Sequence, residues 1–271
     1  MKNAVITFLF VISLSLYGSE IQHQNLERNF NLTKKAKFEY FLDLFKPANT
    51  FARTNTFKQI RHNWQSSDEI LLVETLYFID NNRIRQQLLQ ILKEHTNLNA
   101  KASYNDWYID IWNRPECYNS NYFTFKAKLH SLIDPKFSKY FYNRAQLTKI
   151  RLDEVRWGGV KQDGIPPLRN PKMISAEKAT YLNNNDIVFG IEINGKANAY
   201  PKRILAWHEL FTDTIGNTPV AGVYCTLCGT VILYKTLHKG VQYQLGTSDF
   251  LYRSNKLMYD QKKHNRFGAL P

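Results

Sequence analysis

Eleven of the chain's 12 glycines lie at or beyond Gly158, and the remaining one is Gly18. Between Glu20 and Trp157 there is none. Helical bundles can dispense with glycine, whereas β-rich folds need it wherever a tight turn demands positive φ. The distribution predicts a helical region followed by a β-rich one, meeting near residue 150. A length of 271 residues suits one large domain or two ordinary ones. A 44% hydrophobic and 14% aromatic composition suits a substantial buried core and excludes disordered and coiled-coil classes.

The first region carries helical periodicity. Phe38, Phe41, Leu42 and Phe45 follow i, i+3, i+4, i+7, and Pro47 ends that segment. Ile84, Leu88, Ile91, Leu92 and His95 repeat the pattern after an apolar stretch from Ile70 to Ile79, with Asp80-Asn81-Asn82 as the break between two helices. Tyr122 to Ile133 reads as another helix, and Asp134-Pro135 opens the next, over 137–142. His95 and His130 continue apolar stripes and read as core or boundary residues rather than ligands.

The N-terminus reads as a targeting segment. Lys2 precedes an apolar run from Ala4 to Leu16, followed by Tyr17-Gly18-Ser19-Glu20. A short cationic start and about a dozen apolar residues form a secretory pattern, too short for a spanning helix. Residues 1–19 are therefore expected to be a signal peptide or N-terminal anchor, placing the protein outside the cytoplasm, periplasmic or membrane-associated.

Beyond residue 157 the period changes. Residues 158–171 hold three glycines and three prolines, which excludes a helix or a central strand. This segment is either a loop carrying function or a strap between domains. Ile187 to Ile193, the turn Asn194-Gly195 and Lys196 to Tyr200 form a hairpin pattern. A short helix is expected from Arg203 to Phe211, then strands over Val220 to Tyr224, Thr230 to Tyr234 and around Val241 to Leu245. Asp153, Glu154 and Asp163 flank the loop and are expected to make surface ion pairs with Arg151 and Arg156. Gly246-Thr247-Ser248-Asp249 reads as a turn.

Chemistry concentrates at Cys225-Thr226-Leu227-Cys228-Gly229. The motif lies between two strands, so it caps a β-hairpin instead of opening a helix, which disfavours a thioredoxin-type site. Gly229 suits a left-handed position after the second cysteine, the geometry of a metal knuckle. Two sulfurs need further donors. His208 is the nearest candidate and His238 another; Cys117 belongs to the helical region. Two thiolates and an imidazole suit copper or zinc with an open position. The same cysteines could instead perform thiol–disulfide exchange, or form a structural pair in an envelope binding module. P-loop, dinucleotide, zincin and nucleophile-elbow patterns are absent.

The net charge of +13 is spread evenly, with 20 cations against 13 anions in residues 1–150 and 16 against 10 beyond. No basic stripe stands out, so nucleic acid is not an expected partner. Weak attraction to an anionic membrane surface accounts for the charge equally well.

A series of motifs carries a resemblance. These are Arg151-Leu-Asp-Glu-Val-Arg-Trp-Gly-Gly-Val160, Asp163-Gly-Ile-Pro-Pro-Leu168, Asn194-Gly-Lys-Ala-Asn-Ala-Tyr-Pro201, Ile204-Leu-Ala-Trp-His-Glu209 and Asp213-Thr-Ile-Gly216. Tyr224-Cys-Thr-Leu-Cys-Gly-Thr230 and Leu251-Tyr-Arg-Ser-Asn-Lys-Leu-Met-Tyr-Asp260 complete it. Over roughly residues 150–260 the sequence resembles the DUF3179 family of exported or membrane-associated bacterial proteins, which has no established activity. The helical region is similar to the N-terminal extension of some members. The resemblance implies one characteristic domain and no catalytic assignment; Cys225, Cys228 and His208 fall on its most chemically suggestive motifs. Members continue after Met-Tyr-Asp through a further β-rich stretch, whereas the tail after Asp260 here lacks a period and reads as truncated. The expected architecture is α+β: a helical region, 20–150, packed on a mostly antiparallel β domain, 151–271, incomplete at its C-terminus.

Overall fold

The computed structural model describes residues 37–142, 150–226, 229–262 and 267–268. The expected targeting segment lies outside them. The protein is α+β, with helices in the N-terminal part and mostly antiparallel sheets in the C-terminal part. Contacts divide it into two compact units at Phe125/Lys126. Glycine usage therefore marks where β structure begins, not where packing divides.

In the first unit, α1 (Glu39–Asp43), α2 (Thr50–His62), α3 (Glu69–Phe78), α4 (Asn82–His95) and α5 (Tyr104–Trp112) follow in order. α3 is apolar nearly all round, with Ile70 to Leu76 wholly buried, which makes it the central helix. Of its two buried acids, Glu69 pairs with Arg114 at 2.8 Å and Glu74 accepts a hydrogen bond from the Tyr122 hydroxyl at 2.7 Å. α4 buries Ile84, Leu88, Ile91 and Leu92, and Asn81 caps it through the Ile84 amide. His95 lies at the exposed end of that stripe, stacked on Trp64. Among the described residues, no helix is long and apolar enough to cross a membrane.

α6 (Tyr122–Ser131) leads into the second unit, where a short α7 (Ser138–Phe141) precedes the sheets. His130 is buried there, its Nδ1 donating to the Lys126 carbonyl at 2.8 Å and its ring against Phe141 and Phe250. It is a satisfied core histidine. The strands are β1 (Val155–Trp157), β2 (Leu168–Arg169), β3 (Val188–Ile193), β4 (Lys196–Pro201), β5 (Leu210–Ile215) and β6 (Thr218–Cys225). β7 (Thr230–Lys235), β8 (Leu237–His238), β9 (Val241–Gln242), β10 (Leu245–Tyr252), β11 (Asn255–Asp260) and β12 (Phe267–Gly268) complete them. One sheet runs β2-β5-β6-β7 and another β1-β10-β11-β12, while β3-β4 and β8-β9 are hairpins.

The β5–β6 pair is central. One face, with Phe211, Ile215, Val220 and Tyr224, packs with Tyr200 and α8 (Lys202–His208) and is covered by Phe189, Ile191 and Ile193 of the β3–β4 hairpin. The opposite face, with Leu210, Ala221 and Val223, packs on Leu245 of β10 and Met258 of β11. This alternation is what a strand buried on both faces requires. The Gly- and Pro-rich segment contributes β2, a two-residue edge strand parallel to β5, a position that proline-rich chain tolerates.

Candidate functional site

The CxxC segment closes the β6–β7 hairpin. Cys225 pairs with Thr230 as the last rung, Gly229 takes φ +68°, and its amide donates to the Cys225 carbonyl at 2.9 Å. The expected left-handed Gly229 is present. Leu227 and Cys228 lie outside the described residues, and Cys225 is half-buried.

His208 is the last residue of α8, which ends abruptly. Helix was expected through Phe211, but Glu209 adopts φ +55° and diverts Leu210 and Phe211 into β5. The β5–β6 register pairs Leu210 with Val223, and the Tyr224 amide donates to the Glu209 carbonyl at 2.8 Å. His208 thus directly precedes a residue bonded to Tyr224, the neighbour of Cys225. Its Nδ1 lies 2.8 Å from the Pro166 carbonyl. A carbonyl only accepts, so Nδ1 is the donor; in the neutral ring this puts the lone pair on Nε2, the arrangement that prepares histidine as a metal ligand. Among the described residues, no three His, Cys, Asp or Glu side chains gather as a metal site. His238 is exposed in β8, and Cys117 is exposed in the helical unit.

Beside the hairpin lies a polar cluster that sequence patterns did not reveal. The buried Glu209 carboxylate accepts from the Thr226 hydroxyl, between the two cysteines, at 3.2 Å and ion-pairs with Lys256 of β11. Asp163 accepts from the Tyr259 hydroxyl and, at 3.2 Å, from the Thr247 amide. Asp249 sits in a β-bulge where β10 slips register against β11 between Thr247 and Phe250, not in a turn as expected. Gly158 donates to the Asp249 carbonyl at 2.7 Å and Asp163 to the Thr247 carbonyl at 3.0 Å, so the glycine-rich segment straps the bulge. Asp163, Glu209 and Asp249 have φ of +54°, +55° and +61°. They are three of the nine non-glycine residues with positive φ among the described residues, and the three that are acids. Asp153 and Glu154 correct an expectation: both are buried, and Glu154 pairs with Arg151 and Arg253 at 3.2 and 2.5 Å.

Asp249 has one carboxylate oxygen buried without a hydrogen-bond partner. Burial, reinforced by the Glu209 and Asp163 charges and opposed by the Gly164 amide and Lys256, pushes its carboxyl from 3.8 up to about 7. Burial, and then the hydrogen bond to Asp163, pushes the Tyr259 hydroxyl up to about 12. The raised Asp249 value means the native state holds a proton that the unfolded chain releases near pH 4. Its contribution to stability is full below that pH and is lost as pH rises towards 7. Asp249→Asn is expected to flatten that slope and, since the group is partly exposed, to stabilise the domain at pH 8 by about 1–2 kcal/mol. Urea unfolding at pH 5 and pH 8 checks this; an unchanged slope in the variant contradicts it.

Residues 162–270 match a family model described as protein of unknown function (DUF3179). No curated protein and no solved structure matches the chain.

Proposed function

We propose, from the premise that residues 162–270 form a domain of the DUF3179 family, that this domain binds one soft transition-metal ion, copper or zinc. The ligands are the Cys225 and Cys228 sulfurs and Nε2 of His208. One observation carries the reading: Nδ1 of His208 donates to the Pro166 carbonyl, and the next residue, Glu209, accepts from the amide of Tyr224 beside Cys225. Thiolate and imidazole together select copper or zinc over hard cations. The left-handed Glu209 that ends α8 supports it too, because it turns the chain from the helix bearing His208 into β5, beside the strand that ends at Cys225. The apolar N-terminal segment supports an extracytoplasmic setting.

A second reading, reversible dithiol–disulfide exchange, is favoured by the Glu209–Lys256 ion pair, which is anchored to Thr226 between the cysteines. An ammonium near a thiol favours the thiolate. Metal analysis beside thiol titration separates the two. The metal reading expects one ion per chain, lost in Cys225→Ser and bound about tenfold or more weakly in His208→Gln. Two-electron thiol chemistry with no retained metal supports the exchange reading instead.

A further inference from the structure

The helical unit contains a concave site unrelated to the cysteines. Between α2 and the first turns of α4 lies a groove of about 500 Å³, lined by Arg53, Lys58, Arg61 and Arg83 and by no Asp or Glu. Two of these cations are committed. The Arg53 guanidinium donates to the Asp43 and Lys46 carbonyls at 3.0 and 2.7 Å, and Arg61 donates to Glu94 at 3.1 Å. Lys58 and Arg83 are exposed and have no ion pair or hydrogen bond among the described residues. Phe57 and Ile84 are buried beneath, and Thr50 and Thr54 add hydroxyls to the wall.

Solubilising charge is ordinarily interspersed with acids on convex surface. With Arg61 balanced by Glu94, the three remaining like charges around one concavity repel one another, and a low-dielectric floor strengthens their field. An anion relieves that repulsion, and guanidinium beside ammonium matches phosphate oxygens. We infer that this groove binds a compact phosphate-bearing anion, with Lys58 and Arg83 as the charges left free to meet it. The ligand is either a soluble phosphate ester or a phospholipid headgroup, the two sources of the same chemistry.

Sodium pyrophosphate titrated calorimetrically into the full chain at low salt tests the soluble source. Co-sedimentation with phosphatidylcholine vesicles containing about a third phosphatidylglycerol tests the headgroup, with pure phosphatidylcholine as reference. Binding in either arm that weakens as salt rises supports the inference, provided the exposed pair Lys58→Glu/Arg83→Glu reduces it about tenfold or more with unchanged far-UV circular dichroism. Lys178→Glu/Lys196→Glu, an equal charge change in the other unit, should leave it within about twofold. No binding in either arm, or equal losses in both variants, overturns the inference.

Discussion

Gly222→Ala is expected to lower the stability of the C-terminal unit by about 3 kcal/mol, enough to abolish much of a marginal domain's folding. Gly222 pairs directly with Phe211 across the β5–β6 ladder. A Cβ at Gly222 would lie 2.0 Å from Cε1 and 2.3 Å from Cζ of the Phe211 ring. The ring cannot swing away, because it is fully buried and stacked on Tyr200 at a centroid distance of 4.1 Å. Strand β6 must therefore bend or the ring must leave its packed position. Chemical unfolding measures the loss, and Phe211→Leu added to Gly222→Ala should recover part of it, since the smaller side chain vacates the colliding positions. A Gly222→Ala chain within about 0.5 kcal/mol of wild type contradicts this packing.

Glu209→Gln carries the second large effect, an expected loss of about 2–3 kcal/mol. The substitution keeps an oxygen for the Thr226 hydroxyl but strands the Lys256 ammonium, whose side chain is only 19% exposed. An ion left without its partner inside a protein costs more than the pair itself contributes. Lys256→Met should accordingly recover most of the loss when combined with Glu209→Gln, although either change alone destabilises. A double-mutant cycle on unfolding free energies reads the coupling, expected at about 1–3 kcal/mol. Additive losses contradict a partly buried pair joining β11 to the cysteine hairpin.

Local features were legible in the sequence, and assembled ones were not. The spacing of Ile84, Leu88, Ile91 and Leu92 announces α4 because one helical face is buried over consecutive turns. Asn194-Gly195 announces the β3–β4 hairpin because both residues take positive φ, at +51° and +73°. The end of α8 is invisible for the opposite reason. Glu209 adopts a conformation that glycine normally supplies, and tertiary partners, the Lys256 ammonium and Thr226 hydroxyl, hold it there. Asp249 is likewise unremarkable in sequence; burial within a bulge and the neighbouring acids Asp163 and Glu209 give it its chemistry. The basic groove has no sequence signature because Lys58 and Arg83 come from different helices. Composition averages over such convergence. Of the cysteine site, the motif itself and a candidate third ligand could be read directly, while the Tyr224–Glu209 backbone bond, between the residues next to Cys225 and His208, belongs to the fold.

The central claim is tested most directly by the metal-to-protein ratio of chain purified reduced and equilibrated with zinc or copper(I), then dialysed against a weak chelator. A ratio near one in the wild type, falling towards zero in Cys225→Ser while the fold persists, is the predicted result. Equal retention by wild type and Cys225→Ser, or none by either, contradicts it.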